Sequence, residues 1–151
     1  MIGLRTATPD DAAALTRVAS AAYEGYLSRM PPGQRPAPLD ADYRAAIERD
    51  DVWLVERDGA VLAFVILVPA PDHVLIENVA VHPDFQGLGL GGDLMRFAET
   101  RAGALGADAV RLYTHATMVE NQRWYERIGY RETDRSVDEG LQRVFYEKRL
   151  R

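Results

Sequence analysis

The sequence predicts a single mixed α/β domain in which helices pack on a central sheet. Three observations lead to this prediction. The chain has 151 residues, which suits one domain, here residues 1–151, with one hydrophobic core. Apolar segments with strand character alternate with segments of helical periodicity, without an internal repeat or a linker. The nearly continuous apolar segment at residues 74–81 is typical of a strand covered on both faces, as in a sheet between layers of helices.

The chain is expected to begin with a strand, a helix and an irregular segment. Residues 2–6 predict a short strand. Thr8 and Pro9 then supply an N-cap and a first-turn proline for a helix that continues through Ala22. Residues 23–39 hold four of the eight prolines, which cannot sustain regular structure, so an extended or mobile loop is expected there.

The strongest hairpin signal lies at Asp58-Gly59, between apolar strands at residues 52–55 and 61–68. A second helix over residues 40–49 precedes it. The elements expected after the hairpin are a strand at 74–81, a helix at 90–105 that ends at Gly106, a strand at 109–114, a helix at 121–128, and strands at 130–135 and 141–148 joined around residues 138–140.

Composition narrows the class of protein. Hydrophobic residues make up 47% and charged residues 27% of the chain, with no signal-peptide pattern and no apolar stretch long enough for a membrane span, so a cytoplasmic protein is expected. Cysteine is absent and His73, His82 and His115 lack zinc-site spacing, which argues against disulfides, a cysteine-linked acyl-enzyme and a metal. A net charge of −5 without a basic patch disfavours nucleic acid as a partner.

A glycine-rich turn at residues 86–92 joins the strand at 74–81 to the next helix. Small residues at this position let backbone N–H groups and the positive end of the helix converge on a phosphate, so a cofactor with a pyrophosphate is indicated. Gly87, Gly89 and Gly92 match the dinucleotide pattern G-x-G-x-x-G in spacing. That match is weak, because five residues separate Val81 from Gly87 and the strand after the helix ends at His115 without a carboxylate.

A second pattern, Gln/Arg-x-x-Gly-x-Gly/Ala, is met by Gln86, Gly89 and Gly91, directly after a strand that ends in Val79-Ala80-Val81. Residues 121–130 then contain the pattern Tyr-x-x-x-Gly-Phe/Tyr. In this order and spacing, the two motifs resemble those of the GNAT superfamily of N-acetyltransferases. The resemblance covers nearly the whole chain and is specific from residue 74 to residue 130.

The resemblance implies a single-domain GNAT-like fold, with a central mixed, mostly antiparallel sheet and helices on both faces. It also implies acetyl-CoA as acyl donor. The pantetheine arm would bind the backbone of a strand that splays from its neighbour, and the pyrophosphate would bind the turn. The cofactor-binding residues implied are Val79, Ala80, Val81, Gln86, Gly87, Leu88, Gly89, Leu90, Gly91, Gly92, Asn121 and Tyr125. Many members carry an asparagine where this chain has Met118, and Asn121, about one helical turn later, is the candidate replacement.

Two residues are candidates for proton transfer. The resemblance gives Tyr125 the role of general acid toward the departing thiolate, while its alternative is an aromatic residue packed beside Trp124. Glu77 interrupts the apolar strand and, by the two-residue strand period, shares a face with Val79 and Val81, which makes it the candidate general base. Its alternative is a hydrogen bond to a neighbouring loop. His82 and His115 are weaker candidates, and Gly129 and Tyr130 are interpreted as structural.

The family builds its acceptor pocket in the region that here contains Tyr23, Glu24, Tyr26 and Arg29. Alternatively, these are core and surface residues at the end of a helix. The function expected is transfer of acetyl to a primary amine, of a small molecule or a peptide, by direct attack in a ternary complex. A non-catalytic acyl-CoA-binding module of the same fold is the alternative, and a nicotinamide-dependent oxidoreductase is disfavoured. The sequence specifies neither the acceptor nor the oligomeric state, so a homodimer stays open, and no membrane partner is expected.

Overall fold

The computed structural model describes residues 3–138 and 140–150, which contain four α-helices and one sheet of seven strands. The helices are α1 (Ala12–Tyr23), α2 (Tyr43–Arg49), α3 (Leu90–Ala104) and α4 (Val119–Arg127). The strands are β1 (Leu4–Thr6), β2 (Asp51–Arg57), β3 (Ala60–Pro69), β4 (His73–Val81), β5 (Ala109–His115), β6 (Arg131–Asp138) and β7 (Leu141–Arg149). None of the helices within these residues is long and apolar enough to cross a membrane.

The strand order in the sheet is β1-β2-β3-β4-β5-β7-β6. Neighbouring strands are antiparallel except β4 and β5, which are parallel and joined through α3. The strand-helix-strand unit predicted around the glycine turn is therefore the parallel crossover of an otherwise antiparallel sheet. The predicted fold class, a mixed and mostly antiparallel sheet with helices on both faces, is confirmed.

The helices divide between the two faces of the sheet. On one face, α3 and α4 contribute Leu94, Ala98 and Tyr125 to a core with Val65 and Leu112. On the other face, α1 and α2 pack their buried side chains against alternate residues of β3. Because side chains alternate along a strand, β3 contributes side chains to both cores. This explains why its sequence is almost wholly apolar.

The predicted elements differ from the observed ones mainly in the proline-rich segment. Instead of a loop without structure, this segment contains two 3₁₀ turns, Glu24–Arg29 and Ala37–Leu39. In the second turn, Pro38 occupies a first-turn position that needs no N–H donor. Helix α2 begins three residues later than expected because Asp42 caps it, accepting a hydrogen bond of 3.0 Å from the Ala45 N–H. Ile2, from the first predicted strand, and Glu139, from the last predicted turn, lie outside the described residues.

Strand β4 has two irregularities, both near Glu77. The pairing of β4 with β5 stops at Ile76 and Leu112, so the two strands separate beyond these residues. On its other side, β4 changes register against β3, because Ile66 pairs with Asn78 whereas Leu67 pairs with Ile76. Glu77 is thus the additional residue of a β-bulge, an irregularity that commonly re-aims side chains beside active sites.

Candidate active site

The turn between β4 and α3 presents backbone donors around the start of the helix. Gly89 is the N-cap of α3 and has a φ of 80°, a left-handed conformation that favours glycine. The first helical hydrogen bond runs from the Asp93 N–H to the Gly89 carbonyl. The N–H groups of Leu90, Gly91 and Gly92 therefore have no acceptor within the helix, which leaves them available to an anion.

Gly91 also lets α3 approach α4 closely. A Cβ atom at this position would lie 3.3 Å from the Trp124 ring and 3.8 Å from the Val81 side chain. Even an alanine here would require the Trp124 ring to move by a few tenths of an ångström. Packing thus favours the second glycine of the motif, whereas backbone conformation favours the first, Gly89.

A groove of about 710 Å³ runs from the end of β4 to the turn. Its floor is the backbone segment of Val79, Ala80 and Val81, and α4 forms one side with Asn121 and Trp124. The sequence-predicted cofactor residues that line this groove are Val79, Ala80, Val81, Gln86, Gly87, Gly89, Leu90, Gly91, Gly92 and Asn121. Leu88 belongs to the same turn, but its side chain does not line the groove and is largely exposed.

A second cavity, of about 320 Å³, occupies the gap where β4 and β5 separate. Glu77 and Asn78 line it from β4, and Tyr125 lines it from α4. The groove and this cavity share three residues, Tyr23, Val79 and Asn121. A ligand in the groove and a ligand in the cavity would therefore meet beside Val79.

Tyr125 is buried, at 6% exposure, in a cluster of aromatic rings. The centroids of the Tyr130 and Tyr146 rings lie 6.2 and 6.0 Å from that of Tyr125. Burial raises the pKa of the Tyr125 phenol well above its ordinary value, so the hydroxyl stays protonated near neutral pH. Within the described residues this hydroxyl has no hydrogen-bond partner, and it is thus a free proton donor at the cavity.

Glu77 is half-buried, and its pKa is raised chiefly by desolvation and further by the charge of Asp50. Arg49 and Arg143 oppose this increase. The sequence predicted that Glu77 shares a face of β4 with Val79 and Val81, because side chains alternate along a strand. The bulge at Glu77 interrupts this alternation. That prediction of a shared face is wrong because a bulge adds a residue and reverses the alternation, although Glu77 and Val79 still line the same cavity.

The predicted acceptor residue Tyr23 belongs to a buried hydrogen-bond network. Its hydroxyl lies 2.8 Å from Asn78 Oδ1 and 3.1 Å from the Val79 carbonyl oxygen. Asn78 Nδ2 donates to the Tyr43 hydroxyl at 3.2 Å, and that hydroxyl donates to the Pro38 carbonyl at 2.6 Å. The network ties α1, α2 and the proline-rich segment to β4, and so fixes the wall of the cavity.

The other three residues predicted near the acceptor lie elsewhere. Tyr26 lines the groove, whereas Glu24 and Arg29 line neither the groove nor the cavity. Arg29 instead forms an ion pair of 2.6 Å with Glu120 of α4, and its guanidinium carbon lies 4.9 Å from the Tyr26 ring centroid. This pair lowers the pKa of Glu120 to about 2. The assignment of Arg29 to the acceptor pocket is not supported by this geometry, because the ion pair links the segment after α1 to α4.

Sequence reasoning missed Asn78, Tyr43 and Arg143, all of which line the cavity. Asn78 did carry a signal, since a second polar residue follows Glu77 in an otherwise apolar strand. Tyr43 and Arg143 carried none, because their positions depend on the packing of α2 and on the register of β7. Gly129 and Tyr130, interpreted as structural, lie after α4, where the Tyr130 hydroxyl donates to Glu99 at 3.0 Å.

A model of the acetyltransferase (GNAT) family matches residues 19–130. Among solved structures, the PaiA N-acetyltransferase from Thermoplasma acidophilum in complex with coenzyme A superposes with a TM-score of 0.81 at 17% identity, over 99% of each chain. A GCN5-related N-acetyltransferase from Rhodopseudomonas palustris gives a TM-score of 0.80 at 24% identity, over 99% of this chain and 96% of that one. At these identities the likeness establishes the fold.

Curated relatives include the amino-acid acetyltransferase of Azotobacter vinelandii, which is 31% identical over 110 residues. The corresponding protein of Mannheimia succiniciproducens is 27% identical over 111 residues. These matches cover 70% and 71% of this chain but 24% of each relative, so the chain spans about a quarter of their length.

Proposed function

The chain belongs to the acetyltransferase (GNAT) family, and from this membership we propose that it transfers acetyl from acetyl-CoA to a primary amine in a ternary complex. One observation carries the proposal. The groove along the glycine turn and the cavity that contains Glu77 and Tyr125 meet at Tyr23, Val79 and Asn121. Donor and acceptor could therefore be bound at the same time with their reacting atoms beside Val79.

Acetyl-CoA fits the groove by the chemistry of its walls. The N–H groups of Leu90, Gly91 and Gly92 at the start of α3 would bind the pyrophosphate. The β4 backbone beyond Ile76, which has no β5 partner, would bind the pantetheine amides as a neighbouring strand does. When bound, acetyl-CoA supplies an acyl carbon activated as a thioester and a thiolate leaving group.

The cavity residues supply the proton transfers. As the amine nitrogen bonds to the acyl carbon and the carbon–sulfur bond breaks, the amine loses a proton and the thiolate gains one. Glu77, whose pKa is raised by burial, would accept the first proton, directly or through water. The protonated Tyr125 would donate the second. Exchange with water returns both side chains to their initial states.

The relatives are consistent with an amine acceptor. Amino-acid acetyltransferases match 70–71% of the chain, and the fold is shared with a ribosomal-protein-S18-alanine N-acetyltransferase from Escherichia coli at a TM-score of 0.73 and 19% identity, over 99% of this chain and 94% of that one. These names cover both small-molecule and protein amines. They support acetyl transfer to nitrogen.

The proposal is tested by turnover and by binding. A panel of amino acids, polyamines, aminoglycosides and peptides, each supplied with acetyl-CoA, should release free thiol with at least one class. In thermal-shift measurements acetyl-CoA, and not NAD, should raise the unfolding temperature, because ligands that bind only the native state stabilise it. Binding of acetyl-CoA without turnover of any amine would identify a binding module instead, and stabilisation by NAD alone would refute the proposal.

A further inference from the structure

The wall of the cavity opposite β4 carries two buried polar side chains on adjacent strands. His115, the last residue of β5, pairs across the ladder with Arg143 of β7. Directly paired residues project to the same face of a sheet. Each is 8% exposed, and both line the cavity.

His115 presents an N–H group without a partner. The Thr117 backbone N–H lies 3.1 Å from His115 Nδ1, and because a backbone N–H can only donate, Nδ1 must be the accepting nitrogen. Burial and the charge of Arg143 lower the pKa of His115, so its ring is neutral near neutral pH and carries its proton on Nε2. Within the described residues, Nε2 is buried and has no hydrogen-bond partner. A buried donor without a partner is costly, so an acceptor supplied by a bound molecule would be favourable at Nε2.

Arg143 presents a cation that is only partly neutralised. Its Nη1 donates to Asp138, whose side chain is half exposed, and its guanidinium carbon lies 4.4 Å from the Tyr113 ring centroid. No other ion pair or hydrogen bond of its guanidinium group occurs within the described part of the chain. The remaining N–H donors of a planar guanidinium suit the two oxygens of a carboxylate.

The other charges of the cavity are already engaged or stand apart. Arg49 pairs with Asp50 at 3.0 Å, and the Asp42 carboxylate caps α2. Glu77 lies on β4, across the gap. The charge of Arg143 acts to lower its pKa, but among the described residues no ion pair joins the two side chains. The cavity therefore has an acidic side next to Val79 and a cationic, hydrogen-bond-donating side at His115 and Arg143.

We propose that the acceptor amine carries a carboxylate, and that Arg143 and His115 Nε2–H bind this carboxylate while the amine lies toward Glu77 and Val79. The inference rests on the proposed function and specifies its substrate class. A cavity of about 320 Å³ suits a small amino acid. Both residues would act by positioning the acceptor and by selecting it, not by transferring its protons.

The test compares amino acids with the same molecules lacking the carboxylate charge. Glycine, alanine, leucine and glutamate are each assayed beside the corresponding α-carboxamide, with acetyl-CoA as donor. We expect kcat/KM to favour at least one carboxylate over its carboxamide by about 10-fold or more, the value of a charge-assisted hydrogen bond. Arg143→Met should abolish this preference mainly through a higher KM for the carboxylate. His115→Leu should reduce it, and His115→Gln, which retains a donor, should restore part of it.

Arg111→Met is the matched control. Like His115, Arg111 lies on β5, but it pairs with Glu147 at 2.8 Å and does not line the cavity. Its loss should therefore leave the preference for the carboxylate over the carboxamide unchanged. Turnover of amines only when they lack a carboxylate, or an Arg143→Met variant that keeps the preference, would overturn the inference and leave the proposed function intact.

A binding measurement separates the two proposals if no amine is turned over. In the presence of coenzyme A, calorimetry should detect the four amino acids binding to the wild-type protein more tightly than to Arg143→Met. If wild-type protein binds coenzyme A but none of these amino acids, the carboxylate inference is wrong. If amino acids bind but no thiol is released, acetyl transfer itself is refuted.

Discussion

At the scale of single residues, the two proton-transfer candidates owe their properties to burial. The phenol of Tyr125 stays protonated because the aromatic cluster around it disfavours the anion. Glu77 has a raised pKa for the same physical reason, with Asp50 adding repulsion. A protonated phenol and a carboxylate of raised pKa are the acid and the base that the proposed acetyl transfer would use.

Removing the hydroxyl of Tyr125 tests the acid. Tyr125→Phe keeps the ring in its cluster, so kcat should fall by roughly 100-fold with little change in acetyl-CoA affinity. Steady-state kinetics under conditions where chemistry limits the rate would measure the effect. Tyr130→Phe is the matched control, because the Tyr130 hydroxyl donates a hydrogen bond to Glu99 outside the cavity. This variant should lose about 1 kcal/mol of stability and keep its kcat. Wild-type kcat in Tyr125→Phe would exclude the role.

The pH dependence of the reaction tests Glu77. A general base works when deprotonated, so kcat/KM should decrease as the pH falls through the raised pKa of Glu77. Glu77→Gln should lower activity near neutral pH and remove or shift this acidic limb, with partial recovery at high pH, where the amine is already neutral. Glu48 lies exposed on α2, where it pairs with Arg44. Glu48→Gln should therefore leave the pH profile unaltered. An unaltered profile in folded Glu77→Gln would leave Glu77 as a structural residue.

At the scale of elements, the site depends on two local departures from regular structure. The left-handed N-cap at Gly89 turns the first N–H groups of α3 toward the groove. The bulge at Glu77 inserts a residue into β4 just where its pairing with β5 ends. Both departures are held by regular structure on either side, so the groove and the cavity keep fixed positions relative to one another.

Substitution in the glycine turn tests the groove. Gly89→Val would place a branched side chain at a φ of 80°, which costs about 1–2 kcal/mol and redirects the helix start. Acetyl-CoA affinity measured by calorimetry should fall by about 10-fold or more, as expected when a hydrogen bond to the pyrophosphate is lost. Gly103→Ala in the same helix meets open space, so it should stabilise the protein by about 1 kcal/mol and leave affinity unchanged. Full affinity in folded Gly89→Val would refute the assignment.

At the scale of the whole molecule, the separation of β4 and β5 brings the groove and the cavity together. The groove lies on the side of α3 and α4, and the cavity extends toward α2 and the proline-rich segment. Tyr23 contacts both through its bonds to Asn78 and Val79. Under the proposed function, donor and acceptor would occupy the groove and the cavity at the same time, without transfer to a protein nucleophile.

Initial-rate kinetics test this consequence. When the concentrations of acetyl-CoA and the acceptor are both varied, double-reciprocal plots of the initial rate should intersect. Incubation with acetyl-CoA alone should leave no acetyl group on Glu77 or Tyr125. The chain has no cysteine to form a thioester, which agrees with direct attack. Parallel plots, together with a stable acetyl-enzyme detected by mass spectrometry, would contradict the ternary complex.

The sequence by itself determined the features that depend on neighbouring residues. The hairpin at Asp58-Gly59, the strand-turn-helix unit around Gly89 and the helix that carries Tyr125 were each predicted from short patterns. Such patterns suffice because backbone conformation, helix capping and hydrophobic periodicity act over one or two turns of chain. The family resemblance extended these local predictions to the sheet as a whole.

Only the tertiary structure decided which distant residues share a site. The bulge at Glu77, the ion pair of Arg29 with Glu120 and the pairing of His115 with Arg143 each depend on strand register or on helix packing between segments far apart in sequence. A shift of one residue in register moves a side chain to the other face of a sheet, and no local pattern records such a shift. The wall of the cavity formed by His115 and Arg143 was therefore beyond sequence reasoning, whereas the glycine turn was not.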